Sequence, residues 1–131
     1  MNHLSKRDSR QRKRQSLAKS FYHAFAGIFA TIQTERNIKI HLGFVTLVLI
    51  AGFALRISIT EWMLVLTLFG LVLALELVNT AVESTVDLVT EERHPLAKKA
   101  KDAAAGAVLI AAINAAIIGC IIFVPKLLAL F

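Results

Sequence analysis

A single cysteine, Cys120, leaves no intrachain disulfide to be made and excludes both a CxxC metal site and a redox pair. Charge is scarce as well. Of the 131 residues, 18% are Asp, Glu, Lys or Arg and 56% are apolar, more apolar surface than a soluble domain of this length can easily hide. There is no G-x-x-x-x-G-K-S/T loop and no G-x-G-x-x-G after a strand, so the common soluble kinase architectures are excluded. Internal repeats and low-complexity segments are missing too. No small-residue cleavage pattern follows the apolar block that ends near Leu55, and two further apolar blocks come later, so the basic N-terminal stretch is not a cleaved signal. Acids are the rarer charge, 9 against 15 Lys and Arg. Such an excess suits nucleic acid or an anionic membrane surface, and its position beside apolar blocks points to membrane, with no nucleic-acid partner.

The apolar residues are gathered into blocks whose length makes lipid their solvent. Residues 1–15 read as a basic arm, suited either to anionic headgroups or to water. Residues 16–34 read as a surface helix, because Leu17, Phe21, Phe25, Ile28 and Ile32 recur at helical spacing with polar residues elsewhere on the wheel. Three crossings follow, at 37–57, 61–89 and 96–126. The first is short in its apolar part, Ile40 to Leu55, and snorkelling of Lys39 and Arg56 completes a path across a hydrocarbon core of about 30 Å. Trp62 suits an interface. The second crossing runs on as a charged extension to Val89, and Pro95 suits the first position of the third helix, where its missing N–H is no loss. The expected fold is an all-α membrane protein of one domain, an interfacial amphipathic helix plus three transmembrane helices in an oligomeric bundle.

Basic residues set the orientation. Nine lie in the region up to Lys39 and four (Arg93, Lys98, Lys99, Lys101) around the second connection, against Arg56 and Lys126 on the other side. The N-terminus and the second connection are therefore expected in the cytoplasm of a multi-pass cell-membrane protein, with the C-terminus outside.

Glu76, Asn79, Glu83 and Asp87 stand three, four and four residues apart and so form one stripe on the second membrane helix. Carboxylates at membrane depth are expensive, and a cation or proton must offset the cost. Simple solvation is the alternative, strongest for Asp87 and weakest for Glu76, which follows Val72-Leu73-Ala74-Leu75. Across the turn, Lys98, Lys101 and Asp102 begin the third helix, where Lys opposes the macrodipole unless an anion is near. Glu35 lies at the cytoplasmic start of the first crossing and can supply a second carboxylate to a metal held by Glu83. Oxygen ligands of this kind suit Mg²⁺, and phosphoryl transfer needs positive charge around the moving group and a base near the acceptor hydroxyl.

Two segments carry a resemblance: Glu76-Leu-Val-Asn-Thr-Ala-Val-Glu83-Ser-Thr-Val-Asp87, and His94-Pro-Leu-Ala-Lys-Lys-Ala-Lys101-Asp102-Ala-Ala-Ala-Gly-Ala-Val. Together they resemble the signature of the bacterial integral-membrane diacylglycerol kinase and undecaprenol kinase family. The likeness spans nearly the whole chain. It implies a homotrimer with composite active sites, ATP as phosphoryl donor, Mg²⁺ and a membrane lipid alcohol as acceptor. By the same resemblance Glu76 is the general base and Asn79 its neighbour in the site, while Glu35 and Glu83 bind the nucleotide-associated Mg²⁺. Glu92, Arg93 and His94 form the turn that contacts the nucleotide, and Lys101 and Asp102 lie near ATP.

Some positions depart from the diacylglycerol kinase branch. Ser16 and His23 stand where that branch has an Arg and a Tyr on the surface helix, with Arg14 the available substitute, and Ala105-Gly106 replaces a serine-containing pair. Thr34-Glu35-Arg36-Asn37, His94-Pro95 and Ala103-Ala-Ala-Gly106 resemble the undecaprenol branch more closely, so undecaprenol is the expected lipid. Diacylglycerol is the rival substrate. The rival outside enzymes is a small proton or cation conductor with the carboxylates lining a pore, which would have no use for lysines and a metal-binding acid on one membrane face.

Overall fold

The structure, a computed structural model, describes residues 17–90 and 92–131. The basic arm, Arg14 and Ser16 lie outside the described residues. Four helices follow one another: α1 Leu17–Thr34, α2 Arg36–Ala54, α3 Ile59–Val89 and α4 Pro95–Leu128. Most of α1 belongs to a compact unit that ends at Ala30, and Thr31–Phe131 forms a second unit. Along α1, Leu17, Phe21, Tyr22, Phe25 and Phe29 are all exposed, and Tyr22 meets His23 edge-on at 5.5 Å between ring centroids.

In the second unit, α2, α3 and α4 are each long and apolar enough to cross a membrane. Most of their large apolar side chains face outward, as they would against lipid. Helix α4 packs mainly along α3, and α2 packs on α3 as well. The core is small. Ile57, Val65 and Ile122 centre it, with Val48, Trp62, Phe69, Ile118 and Phe123 packed around them.

Helix boundaries follow local chemistry. Glu35 takes an extended backbone (φ −88°, ψ 124°) that separates α1 from α2, and the Lys39 ammonium donates to the freed carbonyl of Gln33 at 2.8 Å. Helix α2 spans Arg36–Ala54 where the pattern suggested 37–57; the chain turns at Arg56, which has φ +50°. Helix α3 starts at Ile59, two residues before position 61, because Ser58 and Glu61 form a reciprocal capping box. Helix α4 starts at Pro95 and runs to Leu128, one residue before and two residues beyond the bounds 96–126. His94 caps it, its Nδ1 accepting from the Leu96 N–H at 3.2 Å.

The turn between α2 and α3 is tight because Gly52 admits the Trp62 indole. A Cβ at that position would lie 2.8 Å from the ring. Phe53 packs on the same indole at 4.8 Å, and Lys126 of α4 pairs with Glu61 at 3.3 Å. Three hydroxyls within α2 and α3 fold back on their own backbone: Thr46 donates to Leu42 O, Thr80 to Glu76 O and Thr85 to Ala81 O. This satisfies them without a partner from lipid.

Candidate active site

The polar stripe of α3 grades from buried to exposed. Glu76 and Asn79 are 4% and 7% exposed, Glu83 is half-buried and Asp87 is exposed. Burying a carboxylate without a partner is costly, and Glu76 has one: Oε1 lies 2.9 Å from His41 Nε2 on α2. One turn on, the Asn79 amide donates from Nδ2 to Glu83 Oε1 at 3.1 Å. Asn79 Oδ1 is buried and has no hydrogen-bond partner. A native protein seldom leaves such an acceptor unmatched unless a ligand, ion or water meets it.

Beyond the buried part, α3 and α4 are tied by their charges. Lys101 donates to Asp87 Oδ1 at 2.6 Å, joining the two helices, and Lys98 contacts Asp102 one turn along α4. These groups are largely exposed, so each pair adds at most about 1 kcal/mol, and their importance lies in where they hold charge. They line a cleft of 680 Å³ that also takes in Thr90, Glu92, Arg93 and His94. Glu92 is exposed, its N–H bonded to Thr90 Oγ1 and its carbonyl accepting from His94 N–H. The cleft therefore presents Arg93, His94 and two lysines paired with Asp87 and Asp102 at the turn, with Glu92 also in its lining, while Glu76 lies buried deeper along α3.

Glu76, Asn79 and Glu83 thus share one face of α3, and Asp87, Lys101, Asp102, Arg93 and His94 surround the cleft. Glu35 is half-buried at the N-cap of α2, makes no side-chain capping bond and takes no part in these contacts. His23 lies on α1, in the other unit, and Arg14 is outside the described residues. Among the described residues, no three His, Cys, Asp or Glu side chains converge as a metal cage. Mg²⁺ does not require one, since one or two carboxylates with phosphate oxygens and water suffice. The half-buried Glu83 carboxylate is an oxygen ligand of the kind such an ion takes, and the buried, unmatched Asn79 oxygen lies on the same face of α3.

His41 is the residue that sequence patterning misses. It sits inside the apolar run that begins at Ile40, and the run reads as uninterrupted when only Lys39 and Arg56 are taken as its ends. The signal was present: an ionisable side chain inside a span needs a partner, and the acid stripe was the available one.

A family model described as prokaryotic diacylglycerol kinase matches residues 22–123. An undecaprenol kinase of Bacillus subtilis (strain 168) is 55% identical over 109 residues, covering 83% of this chain and 89% of that protein. A diacylglycerol kinase of Synechocystis sp. is 44% identical over 116 residues, covering 88% of this chain and 66% of that protein. A diacylglycerol kinase of Pseudomonas aeruginosa is 39% identical over 90 residues, covering 68% and 72%.

Proposed function

The chain belongs to the prokaryotic diacylglycerol kinase family and is an ATP-using lipid kinase of the membrane; on that premise we propose that its acceptor is undecaprenol and that Glu76 is the base that takes the acceptor's proton. The observation that carries the second point is the burial of Glu76 on the same face as the partly exposed Glu83 and Asp87. Depth separates the roles. A lipid alcohol arrives from the apolar side, where Glu76 can meet it, while a nucleotide arrives from water, where the cleft at the α3–α4 turn can meet it.

In the reaction the acceptor oxygen bonds to the γ-phosphorus, the bond from that phosphorus to the bridging oxygen of ADP breaks, and the alcohol proton passes to Glu76. Acid–base assistance of this kind is worth about 10²–10⁴ in rate. Lys101, Arg93 and His94 supply donors around the phosphates, and Asp87 and Asp102 hold the lysines in place. Asn79 steadies Glu83 through its amide. Glu83, with Glu35, would hold Mg²⁺, which when bound neutralises charge on the phosphate oxygens.

The same proposal includes a homotrimer with sites shared between subunits, with His23 and Arg14 as further contacts from the N-terminal region. The resemblance of the Glu76–Asp87 and His94–Val108 segments to the family signature supports sharing. It also includes a cytoplasmic N-terminus and an extracytoplasmic C-terminus, supported by the distribution of Lys and Arg. A cysteine introduced at Glu92 should resist an impermeant reagent added outside intact cells; labelling from outside would reverse the topology.

The substrate assignment rests on the 55% identity to an undecaprenol kinase and on the Thr34–Asn37 and Ala103–Gly106 segments. Labelled phosphate transfer from ATP, with undecaprenol and diacylglycerol offered together to the reconstituted protein, tests it. Undecaprenol should be labelled faster. Faster labelling of diacylglycerol would make this a glycerolipid kinase.

A further inference from the structure

We infer that His41 is a positioning residue for the phosphoryl transfer, acting through Glu76. Its Nε2 lies 2.9 Å from Glu76 Oε1 and faces a carboxylate oxygen, so that nitrogen carries the hydrogen and donates it, as it does both in the Nε2–H tautomer and in the imidazolium. The bond engages one of the two carboxylate oxygens. The other, Oε2, is left to take the proton of the acceptor hydroxyl. The hydroxyl of the nearest threonine does not compete, because Thr80 Oγ1 donates to the Glu76 backbone carbonyl at 3.1 Å.

The chemistry explains why a histidine stands in an otherwise apolar stretch of α2. Glu76 hangs on several rotatable bonds, and an acid free to swing would meet the alcohol only part of the time. A hydrogen bond from a neighbouring helix fixes the rotamer and also compensates the burial of charge. The side chain of His41 is 24% exposed and that of Glu76 6%, so the imidazole stands between the buried acid and the more accessible surface.

The inference rests on Glu76 being the base, and the test separates the two claims. Kinase activity is measured with ATP, Mg²⁺ and undecaprenol for the full chain in phospholipid vesicles. The variants are His41→Leu, which keeps bulk without a donor, His41→Gln, whose amide nitrogen reaches about as far as Nε2, Glu76→Gln, and the pair His41→Leu/Glu76→Gln. In His41→Leu, kcat should fall about 10- to 100-fold, as loss of a hydrogen bond to a charged group does, with KM for ATP unchanged within about threefold. His41→Gln should recover most of the loss. Once Glu76 is Gln, His41→Leu should lower the residual rate by less than about twofold, because the two act as a unit.

A His41→Leu enzyme with normal turnover, beside an inactive Glu76→Gln, would overturn the positioning role and leave the base assignment standing. Near-normal turnover of Glu76→Gln would overturn both. If His41→Gln is as damaged as His41→Leu while still folded, the imidazole itself takes the proton and the positioning role is wrong. Should His41→Leu fail to fold, His41→Gln alone decides: a rate within about threefold of the parent upholds the donor role, and a loss near that of Glu76→Gln refutes it.

Discussion

The two ends of the α3–α4 pair are built on opposite terms. At the Ser58 end the acid and the base that pack there are matched: Ser58 and Glu61 cap one another, Lys126 pairs with Glu61, and Trp62 fills the space that Gly52 leaves open. The apolar core centred on Ile57, Val65 and Ile122 lies beside them. At the other end a buried acid depends on one histidine from α2, Asn79 Oδ1 has no match, and the Lys101–Asp87 and Lys98–Asp102 pairs line an open cleft. The first end is capped, paired and packed, which is what stability needs. The second carries uncompensated costs, which proteins retain where a ligand will later be bound.

That contrast is most exposed to a change at Glu76. Glu76→Gln keeps the shape and the hydrogen bond but removes the basic oxygen, so turnover should fall by a factor on the order of 10² or more. ATP affinity and folding should survive. Titrating nucleotide and measuring turnover on one purified sample checks both, and lost ATP binding would show that the deepest acid belongs to the nucleotide site.

The next test asks whether the half-buried acids serve a metal. Glu83→Gln and Glu35→Gln should each raise the Mg²⁺ concentration needed for half-maximal rate about tenfold or more. Thermal unfolding should change little, since Glu83 and Glu35 are not core residues. Unchanged Mg²⁺ curves in both would move the metal away from this stripe.

At the opposite end the effect should appear in stability alone. Gly52→Val forces a side chain against the Trp62 ring, where even a Cβ would come to 2.8 Å. Overpacking of this kind costs about 1–3 kcal/mol, read as a lower denaturation midpoint in detergent. Per folded molecule, ATP affinity and kcat should match the parent. A large loss of kcat at full folding would couple the two ends and break the comparison. Smallest of all should be Lys126→Met, which removes a partly exposed ion pair worth at most about 1 kcal/mol. Denaturation of that variant alongside Gly52→Val ranks packing against charge at the same end.

Much of this was legible in the chain. Long apolar blocks bounded by Lys39, Arg56, Trp62 and Lys126 announce three helices able to cross a membrane, because length and hydropathy are local properties. The common face of Glu76, Asn79, Glu83 and Asp87 follows from helical spacing alone. The Ser58–Glu61 box was equally local and moved the start of α3 to Ile59.

What periodicity along one helix could not say is which residue of another helix meets it. Only packing of α2 on α3 brings His41 to Glu76, and only packing of α3 on α4 brings Lys101 to Asp87 while leaving Asn79 Oδ1 unmatched. Residues 41 and 76 are 35 positions apart, and no local pattern connects them. The sequence by itself determined the helices, the faces they present and the acids they carry, since those depend on the chain's own pitch and on lipid as solvent. The tertiary structure decided which acid is buried with a partner and which polar atoms wait for one, because burial and hydrogen bonding between helices exist only once the helices have met.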